Sequence, residues 1–273
     1  MRPEDVEELI SQLSFAPLTS AAAGRLLYEF VAKDGIEQVL ELGCAHGTST
    51  AYMAAALDEK GVGWVRTYDR DDARDRDPNV FAVLSHLGLE GRVEPILSTS
   101  SYTWELMRVL DEQTYDLETR PKFDLCFLDG AHTWETDGLA FLLIDRLLHP
   151  DRWILFDDVS WTLGSSPTLK HTPRVQAMSE DERATPHVRK IIDLLVRPLG
   201  YRVQFVGNIA CAYKPGRGDG PSAHDGDFKA IASSQREGVR CLAFGSLRRR
   251  GGLTDRELSP GLRGQSSLGA SGP

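Results

Sequence analysis

Acidic side chains close four apolar runs: Glu41 in VLEL, Asp69 in VRTYD, Asp129 in CFLD, and the pair Asp157 and Asp158 in ILFDD. After Glu41 come Gly43, Ala45 and Gly47, and then the hydroxyls of Thr48, Ser49 and Thr50. An apolar run, a turn of small residues and a helix bring backbone N–H groups within reach of a ligand. A dinucleotide phosphate would favour the spacing G-x-G-x-x-G. The turn here is Gly43-x-Ala45-x-Gly47 behind a carboxylate. That arrangement disfavours a phosphate and suits a cation, such as an ammonium beside a sulfonium. At Asp69 the two carboxylate oxygens suit the paired hydroxyls of a ribose.

The other acids suggest a second chemistry. If the runs ending at Asp129 and at Asp157–Asp158 are neighbouring parallel strands, about 4.8 Å apart, their carboxylates meet at one rim. Carboxylates crowded in apolar surroundings raise one another's pKa. A hard divalent cation such as Mg²⁺ removes that cost. The bland alternative is a set of helix caps and surface acids. His132 follows Asp129 by three positions; it is either a general base for a hydroxyl or a helix-start histidine bonded to backbone.

Regular alternation must position these groups. Strand-like runs cover 37–42, 63–69, 92–97, 123–129, 152–158, 201–206 and 209–214. Helical patterns cover 4–13, 20–33, 48–59, 78–87, 101–112, 134–147 and 187–197. Pro17 separates the first two helices, and Thr19 or Ser20 caps the second. Uninterrupted apolar stretches such as LCFL and WILF predict strands buried on both faces. The expected fold is α/β: a Rossmann-like, doubly wound, seven-stranded sheet with N-terminal helices. Only Gly207 and Asn208 separate the last two strands, so the sheet is mostly parallel with an antiparallel last strand. The domains expected are an N-terminal helical cap (1–34), the sheet domain (35–215) and a tail (216–273). The tail holds 12 of the chain's 25 glycines and the run Arg248–Arg249–Arg250, a composition suited to a flexible appendage.

ELGCAHGTST with Asp69 resembles the first two motifs of class I S-adenosylmethionine-dependent methyltransferases. LDGAHTWE followed by ILFDDV resembles metal-dependent O-methyltransferases, macrocin-type sugar methyltransferases among them. The resemblance spans about 35–214 and departs from the pattern at Ala45, where a glycine is usual. It implies that Gly43, Ala45, Gly47 and Thr48 line the methionine part of S-adenosyl-L-methionine. It places Glu41 near the ammonium, Asp69 on the ribose and Ser98 or Ser100 near the adenine; as helix caps, Ser98 and Ser100 would have no such role. Asp129, Asp157 and Asp158 become ligands of Mg²⁺ or another divalent cation. Asp129 also counts among the cofactor-binding residues, and with His132 among the catalytic ones. The implied reaction is O-methylation of a small hydroxylated substrate, a sugar or a natural product. An NAD-dependent oxidoreductase is the alternative within enzymes, and a non-catalytic cofactor-binding protein the alternative outside them.

The net charge of −9 argues against nucleic acid as a partner. No secretory signal or membrane span is expected, and Cys44, Cys126, Cys211 and Cys241 are spaced as free thiols. Both features suit the cytoplasm. The N-terminal helices and the tail offer surfaces for a homo-oligomer. The long connection after Asp158 is expected to be a lid, with Trp161, His171 and Arg174 at its inner face or its surface. Trp134 is expected in the core.

Overall fold

The computed structural model describes residues 1–216. The strands are β1 (Gln38–Leu42), β2 (Trp64–Arg70), β3 (Val93–Ser98), β4 (Thr114–Tyr115), β5 (Glu118–Thr119), β6 (Phe123–Leu128), β7 (Leu148–Phe156), β8 (Arg202–Val206) and β9 (Ile209–Lys214). The helices are α1 (Pro3–Ser11), α2 (Ala21–Ala32), α3 (Thr48–Lys60), α4 (Val80–Leu87), α5 (Tyr102–Gln113), α6 (Trp134–Leu147), α7 (Pro173–Ala177), α8 (Glu180–Ala184) and α9 (His187–Ile191). Seven strands form one sheet in the order β3-β2-β1-β6-β7-β9-β8, with β9 antiparallel to both neighbours. Strand order therefore reverses between β1 and β6, the position at which open α/β sheets bind ligands.

The register explains why the acids meet. Leu42 pairs with Tyr68 on one side and Leu128 on the other, and Leu128 pairs with Phe156. The ladder runs one step further: Gly43 N–H donates to Tyr68 O (2.8 Å), Asp129 N–H to Leu42 O (2.9 Å) and Asp157 N–H to Leu128 O (3.0 Å). Asp69, Gly43, Asp129 and Asp157 thus stand in one row at the carboxyl edge. Glu41 pairs with Thr67 and Phe127, two rungs inside that row.

Beneath the rim the central strands are buried on both faces: in β6 only Asp124 is partly exposed, and the last four residues of β7 are fully covered. The N-terminal helices pack on α3. A Cβ on Gly24 of α2 would meet the Tyr52 ring at 2.2 Å, so this glycine lets the two helices approach closely. Lys60, in the last turn of α3, donates to the carbonyls of Val31, Lys33 and Ile36 and satisfies the end of α2. Ser20, one of the two expected caps, accepts from Ala23 N–H.

Several expectations shift. β7 starts at Leu148, four residues early, and stops at Phe156, which leaves both aspartates in the loop. The β4–β5 hairpin carried no strand signal because each strand is two residues long. The segment expected as one helix over 187–197 is α9 followed by a π turn at Ile192–Val196. Trp134 is 41% exposed, because the core side of α6 is taken by Asp137, Gly138, Ala140, Phe141 and Ile144. Cys44, Cys126 and Cys211 are buried and free. Cys241 and the tail beyond residue 216 lie outside the described residues, among which no helix is long and apolar enough to cross a membrane.

Candidate active site

The turn after β1 is held by the acid of β2. Asp69 Oδ2 accepts from Cys44 N–H (2.9 Å) and Ala45 N–H (2.7 Å), and Oδ1 accepts from Arg70 N–H (2.7 Å). Ala45 and Gly47 lie in the left-handed region, at φ 49° and 93°, so the chain doubles back into α3. A Cβ on Gly47 would meet Val80 of α4 at 2.9 Å. Thr48 begins α3 and is buried, its hydroxyl without a partner among the described residues.

Glu41 is a correction. Its carboxylate is fully buried and accepts from Ser49 Oγ (2.6 Å) and Thr50 Oγ1 (2.5 Å). It anchors the first turn of α3 from below and does not face a ligand. Burial raises its pKa to about 7 against those hydroxyl hydrogen bonds. The serines also differ from the alternative weighed for them. Ser101 caps α5, whereas Ser98 donates to Glu105 Oε1 (3.2 Å) and accepts from Ser100 N–H (3.4 Å).

On the other side of the switch point, Asp129, His132 and Asp158 converge. One ligand atom from each lies within 4.8 Å of the others. His132 Nε2 stands 3.7 Å from Asp129 Oδ1 and 3.6 Å from Asp158 Oδ2, close enough for charge attraction and too far for good hydrogen bonds. Its Nδ1 is buried with no partner among the described residues. His132 and Asp158 have φ of 53° and 55°, a conformation uncommon for residues with a side chain and associated with functional sites. Burial raises the Asp129 pKa well above its usual range, and the charges of Asp157 and Asp158 raise it further. Asp157 stands apart from the triad: its Oδ1 accepts from Asp158 N–H (2.8 Å). It remains in electrostatic range, its own pKa raised by burial and by Asp158.

The halves touch. A Cβ on Gly43 would come 2.0 Å from the carbonyl oxygen of Asp129. Residues 40–159 match the family model described as a methyltransferase domain. That match spans β1 to the loop after β7 and contains every acid just described. The matched segment is similar to a methyltransferase domain, and the sheet has the Rossmann-like fold of such domains. Among solved structures it is similar to the O-methyltransferase TomG from Streptomyces achromogenes, involved in tomaymycin synthesis and in complex with SAM, at 19% identity over 78% of this chain and 89% of that one (TM-score 0.53). It is also similar to an O-methyltransferase from Bacillus cereus in complex with SAH, at 21% identity over 78% and 90% (TM-score 0.51). At these identities the likeness establishes the fold. No curated protein sequence matches the chain.

Two supports of the candidate site carry no sequence motif. Tyr102 O–H, from the start of α5, donates to the fully buried Asp137 of α6. Ala131 N–H donates to the Tyr102 oxygen (2.9 Å), so this pair holds the loop between Asp129 and His132. A Cβ on Gly130 would meet the same oxygen at 2.5 Å. The second support is Asn208, in the β8–β9 turn. Its amide donates to Asp158 Oδ1 (2.9 Å), and its oxygen accepts from Ser160 N–H (2.9 Å). A Gly-Asn turn before a strand that returns along β7 was the available signal, since that topology delivers the turn to the rim.

The connection after Asp158 folds back through a 3₁₀ turn (Leu163–Ser165), α7 and α8. His187 secures its far end, accepting from Trp134 N–H (3.1 Å) at Nδ1 with Nε2 2.9 Å from Glu182 O. The Trp161 ring lies 5.0 Å from the His132 ring, between centroids. Arg174 is ion-paired with Glu135 at 2.7 Å. His171 is exposed and lines an open depression on the same connection.

Proposed function

We propose that the protein transfers the methyl group of S-adenosyl-L-methionine to a hydroxyl of a small acceptor, with a divalent cation beside the reacting oxygen. The observation that carries this reading is the contact of two unlike sites at Gly43 and Asp129: an N–H-rich turn and a crowded acid–imidazole cluster. The cluster fits a cation, because two carboxylates and a ring nitrogen converge there and the buried acid is costly without positive charge. Asp129 and Asp158 would hold the cation, which when bound acidifies a coordinated hydroxyl. S-adenosyl-L-methionine supplies an electrophilic methyl and leaves as a neutral thioether.

The chain's own residues position the reactants. The turn at Gly43–Gly47 and Asp69 would hold the cofactor, with one lone pair of Asp69 Oδ1 left for a ribose hydroxyl. His132 Nε2 would take the acceptor's proton, the imidazolium then being stabilised by Asp129 and Asp158. The Trp161 ring lies beside His132 and would shield it from water. Holding two reactants in line accounts for several kcal/mol of a methyl-transfer barrier. A sugar or natural product as acceptor is in keeping with the macrocin-type resemblance and with TomG's place in tomaymycin synthesis. A cytoplasmic setting is in keeping with three buried free thiols.

Calorimetry with S-adenosyl-L-methionine, followed by a methylation screen of hydroxylated acceptors with Mg²⁺ or with EDTA, tests the proposal. The expected outcome is cofactor binding in both conditions and turnover only with the cation. Binding of NAD but not of the sulfonium would overturn the reading, and full turnover in EDTA would remove the cation from it.

A further inference from the structure

The connection after Asp158 holds an open depression of about 480 Å³, lined by Lys170, His171 and Arg183 together with Gln176 and Glu180. Its volume is in the range of small-molecule sites. The cations of this region fall into two groups. Arg174 pairs with Glu135 and Arg189 with Asp193, both at 2.7 Å. The side chains of Lys170 and Arg183 make no ion pair or hydrogen bond with any described residue, although both are half-buried. Two unpaired cations beside an imidazole make this wall a favourable seat for an anion. Glu180 offsets one of these charges and leaves the wall net positive.

The depression is anchored to the candidate active site. Its first wall residue, Thr162, directly follows Trp161, whose ring lies against His132. Gln176 Nε2 donates to Lys170 O (2.6 Å), tying α7 to the segment that carries Lys170. Thr162 and Ser165 cap each other across the 3₁₀ turn, which fixes the opposite wall.

We propose that the depression walled by Lys170, His171 and Arg183 binds a phosphate group carried by the acceptor substrate. Two cations and an imidazole along one wall match a dianion with several acceptor oxygens better than a neutral sugar hydroxyl. The phosphate would seat the acceptor in the lid while its hydroxyl reaches Asp129, His132 and Asp158. The binding of phosphate stands on the depression alone; its part in acceptor recognition rests on the methyl-transfer reading.

The test uses inorganic pyrophosphate as probe, titrated calorimetrically into the full chain in EDTA so that no cation can bridge it to the acids. The wild type should bind, and binding should weaken as salt rises. K170Q/R183Q should bind about a hundredfold more weakly, at about tenfold per lost charge-assisted contact. R174Q, which removes a paired cation, should bind as the wild type does. S-adenosyl-L-methionine titrated into all three reports on the fold and on the methyl-transfer reading separately. No pyrophosphate binding by the wild type, or equal binding by K170Q/R183Q, overturns the proposal. Pyrophosphate binding without cofactor binding would retain the anion site and reject its role in methyl transfer.

Discussion

The two halves of the sheet rim use the same side chains in opposite ways. On the β1–β2 half, Asp69 and Glu41 are satisfied: the first by three backbone N–H groups, the second by two hydroxyls. On the β6–β7 half, Asp129 and Asp158 face His132 at 3.6–3.7 Å, and Asp129 and Asp157 have raised pKa values. An acid spent on the protein's own N–H groups fixes a shape. An acid left facing a charged or chargeable neighbour keeps its affinity for something that arrives later. The first half is a preformed turn and the second a cluster of crowded acids around an imidazole, and their separation is set by strand register.

The largest effect that would sharpen this contrast is at Asp129 or Asp158. Asparagine at either position should lower kcat on the order of a hundredfold or more, the scale of losing one electrostatic group in a reaction site. Cofactor affinity should stay near wild type; a parallel loss of it would break the division into two halves. Asp69→Ala should do the reverse. Removing the acceptor of Cys44 and Ala45 N–H leaves donors unpaired, at roughly 1–3 kcal/mol. Calorimetry should show cofactor binding at least tenfold weaker, with titration of Mn²⁺ into the acid cluster unchanged.

Glu41 tests the claim that the first half is structural. Its pKa is raised in the folded state, to about 7 from 4.5. Its protonation therefore favours folding: that stability is present in full below about pH 4.5 and is lost as pH rises through 7. Glu41→Gln should flatten the melting-temperature profile between pH 5 and 8 and gain most over the wild type at the alkaline end, a difference of at most a few kcal/mol. Equal slopes in both proteins would mean that Glu41 is not buried as described. The smallest effect expected is at Tyr102. Tyr102→Phe removes two hydrogen bonds, the one accepted from Ala131 N–H and the one donated to the buried Asp137, at roughly 1–3 kcal/mol. It should reduce kcat several-fold with little change in KM for the cofactor; a change in KM alone would place the effect in the turn.

What the sequence disclosed, and what it hid, follows from the range of the interactions. The place of Gly43, Asp69 and Asp129 on the rim was legible because each follows an apolar run directly, and parallel register carries such positions to one edge. Glu41 was misplaced by the same logic: it sits two residues before the turn, within the strand, and a paired strand buries it. Asp157 and Asp158 are identical neighbours in sequence. Only the left-handed backbone of Asp158 and the amide of Asn208, fifty residues on, distinguish their directions. Tyr102 and Asp137 lie 35 residues apart on different helices, and their pairing exists only once α5 packs on α6.

The absent side chain at Gly43 has a wider consequence. Because the floor of one compartment rests on the carbonyl of the other, neither can be widened by loop exchange without disturbing both. The stretch between Val159 and Pro186 lies outside that ladder and is tied to the rest through Asn208, Glu135 and His187. Exchanging that stretch would leave the β-ladder and the contact at Gly43 as they are, whereas moving the turn would require rebuilding the ladder.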